Sequence, residues 1–85
     1  MKFFEYTIKD PNGLHARPAG LLVRKAQELS SELTIEHQEK SASLKKLLAV
    51  MGLGVRCGDT VRVSAEGETS ASDLAEMKRF FEENF

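Results

Sequence analysis

The apolar residues of this 85-residue chain follow two periods that alternate along the sequence, and this alternation limits the folds open to it. Near the start, Phe4, Tyr6 and Ile8 recur at every second residue, which is typical of a strand with one buried face. After the turn Asp10–Gly13, the apolar spacing changes to three and four, as on one face of a helix. The residues of that face are Ala19, Leu22, Val23, Ala26 and Leu29.

The middle of the chain predicts two strands and a short helix. Leu33 and Ile35 alternate with polar residues, which indicates a second strand, and residues 40–43 are interpreted as a third. Ser43 is predicted to cap a short helix that ends at one of the glycines that follow. The apolar residues of this helix are Leu44, Leu47, Leu48 and Met51.

The last third of the chain predicts a fourth strand and a closing helix. Val61, Val63 and Ala65 alternate with polar residues after a turn at Gly58. Further on, Ser70 followed three residues later by Asp73 resembles a capping box for a helix with Leu74, Met77 and Phe81 on its inner face. The order β-α-β-β-α-β-α predicts an α+β open-faced β-sandwich in one domain, residues 1–85. Three helices would cover one side of a four-stranded antiparallel sheet.

Charge and hydropathy exclude several classes of protein. The formal net charge is −1, with 12 basic and 13 acidic residues, which argues against nucleic-acid binding through bulk charge. No apolar run approaches the roughly 20 residues that span a bilayer, so no membrane insertion is expected. Glu5 comes too early for a signal-peptide core, which predicts a cytoplasmic protein.

Neither the single cysteine nor the second histidine predicts a site. Cys57 cannot form an internal disulfide and is interpreted as a reduced thiol. His37 falls in a strand pattern and is expected at the surface or half-buried. Together with His15 it lacks a third ligand, so no metal and no cofactor are expected.

The segment Asn12–Ala19 carries the chemistry. It places His15 and Arg17 at the start of a helix whose first turn holds Pro18. The first N–H groups of a helix lack internal acceptors, so this terminus suits a phosphate group, and the arginine adds a fixed charge. The same positive potential disfavours imidazolium and favours a neutral, nucleophilic ring. The residues alone predict an anion site that contains a histidine, and a capping or surface histidine stays an alternative.

The whole chain, and above all NGLHARPA at 12–19, resembles the HPr family, the histidine-containing phosphocarriers of the bacterial phosphoenolpyruvate-dependent sugar phosphotransferase system. Further matching segments are 40–43, 50–54, 58–61 and 64–67, together with Leu47. The resemblance implies phosphorylation of His15 on Nδ1, with Ala16 and Arg17 at the phosphoryl group and the terminal carboxylate of Phe85 near Arg17. The donor would be phosphoenolpyruvate-protein phosphotransferase, the first component, and the acceptors sugar-specific A components. The chain would be a phosphoryl-transfer intermediate with no turnover of its own.

Residues 44–53 hold more apolar side chains than one short helix can bury. About three belong in a core, so some of Leu47, Leu48 and Met51 are expected to be exposed beside His15. An apolar patch with basic residues at its rim suits transient partner binding. The resemblance extends this docking surface to Ala16, Arg17, Gly20, Leu21, Arg24, Leu47, Leu48 and Met51. Nothing in the sequence requires more than a monomer.

Two positions depart from the family pattern. Many Gram-positive relatives carry, at the position of Lys46, a serine that a dedicated kinase phosphorylates, and a lysine cannot receive that signal. The nearby Ser41 and Ser43 are expected to cap a helix or lie at a strand edge. Glu39 replaces a residue that is often glycine, which leaves the turn between the second and third strands open.

Two other functions compete with the carrier. One is a regulatory interaction module of the same fold that carries no phosphate, and the other is a passive anion-binding domain. The presence of both His15 and Arg17 favours the carrier, whereas Lys46 argues against the regulatory route.

Overall fold

A computed structural model describes residues 2–85, so Met1 of the predicted 1–85 domain lies outside the description. Within these residues the order β-α-β-β-α-β-α is confirmed. The elements are β1 (Lys2–Thr7), α1 (Ala16–Gln27), β2 (Glu32–His37), β3 (Lys40–Ser43), α2 (Leu47–Met51), β4 (Thr60–Glu66) and α3 (Ser70–Asn84). None of the helices in residues 2–85 has the length and apolar character needed to cross a membrane.

The four strands form one antiparallel sheet, as predicted, and their order in it is β1-β4-β2-β3. Val63 of β4 lies opposite Phe4 of β1 on one side and Ile35 of β2 on the other. All three side chains are buried because they point to the face that the helices cover. The period-two positions identified in the sequence therefore build the inner layer of an open-faced sandwich.

Aromatic rings join α3 to the sheet. Phe81 is fully buried and packs edge-to-face on Phe4 and Tyr6 of β1, with ring centroids 5.6 Å apart in both pairs. It meets Phe85 in the same way at 5.3 Å. Such pairs stabilise a core beyond the area they bury. They also bring the end of the chain back to the end of β1, beside the start of α1.

The predicted start of the short helix is wrong. Ser43 ends β3, and its hydroxyl accepts a hydrogen bond from the Lys45 N–H at 3.2 Å. Leu44 is still tied to the sheet, because its N–H donates to the Leu33 carbonyl at 2.9 Å. The chain leaves the sheet only after this bond, and α2 therefore begins at Leu47 with Lys46 as its N-cap.

The predicted capping box of the last helix is also wrong. Thr69 is the N-cap of α3, and Ser70 is its first helical residue. The Asp73 carboxylate accepts hydrogen bonds from the Ser31 hydroxyl at 2.6 Å, the Ser31 N–H at 3.1 Å and the Thr69 hydroxyl at 2.8 Å. The Ser31 hydroxyl, followed by Thr69, lowers the pKa of Asp73. Asp73 thus fastens α3 to the segment before β2 instead of capping its own helix.

His37 is buried, so the prediction of a surface or half-buried side chain is wrong. Its ring is 5% exposed, with Nδ1 3.1 Å from the Leu53 carbonyl oxygen and Nε2 2.9 Å from Asp59 Oδ2. Leu33, Ile35 and His37 are all buried positions of β2, spaced by two. That spacing was the signal in the sequence for an inward-facing histidine.

Candidate functional site

His15 lies at the N-cap of α1 with an exposed side chain. Its backbone is extended (φ −89°, ψ −170°), and its carbonyl accepts the Ala19 N–H at 2.8 Å. The ring forms no capping hydrogen bond with its own helix. The backbone of His15 is therefore fixed by α1, while the imidazole stays available to an incoming group.

The N-terminus of α1 favours an anion beside this ring. Ala16 and Arg17 are its first two residues, and Pro18 in third place has no N–H to donate. The first N–H groups of a helix have no acceptor within it and carry a partial positive charge. No acidic residue occupies the first turn, so this charge is not offset there.

The ring opens into a cavity of about 340 Å³, the His15 cavity. One wall is the segment before α1, and the other is α2 with the segment that follows it. The lining residues are Asn12, Leu14, His15, Met51, Gly54, Val55 and Arg56.

The two walls meet at Gly13. Gly13 has a φ of +60°, and a Cβ on it would lie 2.5 Å from the Val55 carbonyl oxygen and 2.8 Å from the Arg56 Cα. The neighbouring Leu14 N–H donates to the same Val55 oxygen at 3.1 Å. A side chain would push the walls apart, so position 13 requires glycine for space as well as for the turn predicted from the sequence.

The second wall belongs to the distal loop, which we define as Leu53–Asp59. His37 contacts both ends of this loop, through the Leu53 carbonyl and the Asp59 carboxylate. The Leu53 carbonyl and the Asp59 carboxylate are both hydrogen-bond acceptors, and one of the two ring nitrogens faces each of them. Asp59 also accepts the Arg56 N–H at 3.0 Å. That bond, together with His37, lowers the pKa of Asp59.

Arg17 does not line the His15 cavity. It borders a separate depression of about 260 Å³ together with Asp10, Pro18, Leu21, Asn84 and Phe85, while Asn12 lines both. His15 is the N-cap, with an extended backbone, and Arg17 is the second residue of α1. Arg17 and Phe85 thus line one depression, and His15 lines the neighbouring one.

Phe85 closes the depression that Arg17 borders. Its ring is buried against Phe81, and its backbone oxygen accepts the N–H groups of Lys9 and Asp10 at 2.6 and 2.9 Å. The end of α3 is thus fastened to the segment that leads into α1.

Exposed apolar side chains surround the site on α1 and α2. Leu21 is 47% exposed, Leu47 40% and Leu48 82%, while Met51 is half-buried and lines the His15 cavity. We call these four residues the apolar patch. The remaining predicted docking residues are Ala16, Arg17 and Arg24, all exposed, and the half-buried Gly20. Three other apolar residues of 44–53 are buried, in agreement with the expected number: Leu44, Val50 and Leu53.

Lys45 holds α2 beside α1. Its ammonium group donates to the Leu29 carbonyl at 2.7 Å, and its own carbonyl accepts from the Gln27 side chain at 3.1 Å. Gln27 is the last residue of α1 and Leu29 follows it by two residues, so Lys45 connects the segment before α2 to the end of α1. The next residue, Lys46, is exposed at the start of α2 and offers no hydroxyl group.

Sequence reasoning missed the distal loop as part of the site. Arg56 and Asp59 lie about 40 residues beyond His15 in the sequence, and no local pattern links them to it. Gly13 carried a signal, because a glycine two residues before the candidate histidine is consistent with a close backbone approach. The glycine alone does not indicate which segment of the chain approaches position 13.

Comparison with known proteins gives a consistent family. A family model described as "PTS HPr component phosphorylation site" matches residues 3–83. The chain is 46% identical over 82 residues to phosphocarrier protein HPr of Borreliella burgdorferi, covering 93% of this chain and 95% of that protein. It is also similar to the crystal structure of HPr-C-His from Thermoanaerobacter tengcongensis, with TM-score 0.93, 36% identity and coverage of 100% and 96%. An HPr dimer structure from the same organism matches with TM-score 0.76, 36% identity and coverage of 98% and 95%.

Proposed function

Since this chain belongs to the HPr family and is a phosphocarrier protein of the phosphotransferase system, we propose that His15 is the residue that carries the phosphoryl group. The main support for this proposal is the environment of the His15 ring. The His15 ring is exposed, makes no capping bond and lies at a helix N-terminus that carries no acid in its first turn. It can therefore both attack a phosphoryl group and keep that group in a positive environment.

The transfer step uses the lone pair of Nδ1, while Nε2 carries the ring hydrogen. The lone pair attacks the phosphorus atom, and the new P–N bond forms as the bond between phosphorus and the donor breaks. The electron pair of that broken bond stays with the donor, so no proton has to move. Transfer to an acceptor repeats the step with His15 as the leaving group.

The surroundings stabilise the transferred group without trapping it. The N–H groups of Ala16 and Arg17 and the partial charge of α1 attract the phosphoryl oxygens. We expect the Arg17 guanidinium, which borders the neighbouring depression with Phe85, to extend toward the phosphoryl group when that group is present. The terminal carboxylate of Phe85 would partly offset the positive charge of Arg17. The arginine then holds the phosphoryl group less strongly, and the P–N bond stays labile.

We propose that donor and acceptor dock in turn on the same face. The donor is phosphoenolpyruvate-protein phosphotransferase and the acceptors are sugar-specific A components, and each would cover the apolar patch while reaching His15. Exposed leucines beside exposed basic residues suit brief, repeated association. Phosphoenolpyruvate is a cytoplasmic metabolite, so we place the exchange in the cytoplasm. The working unit is a monomeric single domain, with a dimer as the alternative that the related dimer structure raises.

The decisive test is phosphorylation in a purified system. Wild type and His15→Ala are incubated with phosphoenolpyruvate and the donor enzyme, and intact mass is measured at neutral pH and after acid treatment. We expect one phosphoryl group on the wild type, lost in acid, and none on His15→Ala. An unmodified wild type beside an active donor, or a phosphorylated His15→Ala variant, would refute the assignment.

The docking proposal has a test of its own. Leu48→Ser removes the most exposed side chain of the apolar patch and should slow phosphorylation about tenfold at limiting donor. Phe3→Ser is the matched control, because Phe3 is 51% exposed on β1, outside the patch, where it stacks on Arg62. Equal rates for the two variants would remove Leu48 from the docking surface.

A further inference from the structure

The His15 cavity contains a basic residue that the family assignment does not explain. Among the described residues that line this cavity, Arg56 alone carries a permanent positive charge, because Arg17 borders the neighbouring depression. Arg56 is exposed, and within residues 2–85 its side chain forms no ion pair and donates no hydrogen bond. The N–H of Arg56 and, to a smaller extent, its positive charge help to lower the pKa of Asp59 without a direct ion pair, so the hydrogen-bond donors of the guanidinium stay available to a ligand.

The backbone of Arg56 is held firmly beside His15. Its N–H donates to Asp59 Oδ2, and the preceding Val55 carbonyl accepts the Leu14 N–H. Its Cα approaches Gly13 so closely that no Cβ fits between them. A side chain that starts from such a fixed point loses less freedom when it binds a ligand than one on a mobile loop.

We propose that Arg56 binds the phosphoryl group on His15 from the wall of the His15 cavity, as a second cation of the transfer site in addition to Arg17. A guanidinium can donate two parallel hydrogen bonds to phosphoryl oxygens, and it acts most strongly where the reacting group is shielded from water by a docked partner. Two titratable groups lie at the distal loop, His37 beneath it and Asp59 at its end, and they form a hydrogen bond with each other. The inference rests on the proposed role of His15.

The experiment compares three single-charge variants: Arg56→Gln, Arg17→Gln and the control Arg79→Gln. Arg79 is exposed on α3 and lines neither the His15 cavity nor the depression of Arg17. Three quantities are measured: the initial rate of phosphorylation, the half-life of the phosphorylated protein without partners, and its ³¹P chemical shift. Arg56→Gln should slow phosphorylation at least ~10-fold and change both the half-life and the chemical shift, while Arg79→Gln stays within about twofold of wild type. Arg56→Lys should recover part of the phosphorylation rate, since it keeps the positive charge but loses the two parallel N–H donors of the guanidinium.

Each alternative outcome has a separate meaning. If Arg56→Gln matches Arg79→Gln in all three measurements while His15 is phosphorylated normally, the proposal is wrong and the proposed function stands. If only the rate falls, and half-life and ³¹P shift are unchanged, Arg56 contacts the partner protein and the proposal is likewise wrong. If the wild type itself accepts no phosphoryl group, the proposed function fails first.

Discussion

The two histidines of this chain share one chemistry and have opposite surroundings. His15 is exposed at the end of a helix, and its ring has no hydrogen-bond partner within residues 2–85. His37 is 5% exposed, and each of its ring nitrogens meets an oxygen acceptor. The difference shows that the partners of an imidazole decide its task. The unpartnered His15 ring is free to react, whereas both nitrogens of the His37 ring are engaged with the distal loop.

The two sites are also linked. His37 fastens both ends of the distal loop, and that loop forms the second wall of the His15 cavity. The buried histidine is therefore a positioning residue for the exposed one. Removing either histidine should disturb transfer, but only one removal should disturb folding.

The largest contrast in stability is expected between the two alanine variants. His37→Ala should lower the free energy of unfolding by about 3 kcal/mol, because it leaves a buried cavity, a carbonyl and a carboxylate without their partner. His15→Ala should stay within about 0.5 kcal/mol of wild type, as for other exposed positions. Urea unfolding of both variants measures this difference. Equal losses of stability in the two variants would contradict the conclusion that His37, and not His15, stabilises the fold.

Loss of stability alone should not slow transfer, and Asp73 can demonstrate this. Asp73→Asn weakens the bonds to Ser31 and Thr69 and should cost about 2 kcal/mol at pH 7. Asp73 does not line the His15 cavity, so phosphorylation of the folded variant should proceed at the wild-type rate. His37→Ala should be slower than both when compared at a temperature where all are folded. A slow Asp73→Asn variant would mean that stability, not loop position, governs transfer.

The same aspartate predicts a dependence on pH. Its pKa is lowered from the ordinary 3.8 in the folded protein, so its contribution is complete above that value and is lost as the pH falls through the lowered pKa. The stability gap between wild type and Asp73→Asn should therefore narrow between pH 5 and pH 3, as measured by urea unfolding at each pH. A gap that stays constant over this interval would show that the ionised carboxylate is not the stabilising species.

The smallest expected effect is a gain at the turn next to His37. Gln38 and Glu39 have φ values of 49° and 69°, a conformation that costs residues other than glycine about 1 kcal/mol each. The double change Gln38→Asn with Glu39→Gly should raise the free energy of unfolding by about 1 kcal/mol, since Asn-Gly suits a two-residue hairpin turn. Transfer should not change. A faster or slower variant would show that strain in this turn reaches the site through His37.

Much of the fold was predictable because periodicity is a local property. Alternation by two placed Phe4, Val63 and Ile35 on one face, and spacing by three and four placed Leu22 and Val23 on another. The errors fell at element ends. Ser43 and Ser70 have the local chemistry of helix caps, but a sheet hydrogen bond at Leu44 and a tertiary contact of Asp73 moved both helix starts. Local preference yields where a long-range bond competes with it.

The candidate site also has some features set by local sequence and others set by long-range packing. By itself the sequence determined the placement of His15 at the start of a helix, with Arg17 in its first turn and without an acid beside them, since these residues are neighbours in the chain. Only the tertiary structure decided that Arg17 borders the depression shared with Phe85, and that Arg56 lines the His15 cavity. The physical reason is distance along the chain. The walls of the cavity come from segments about 40 residues apart, and packing at Gly13 and the bonds of His37, not local propensity, bring them together.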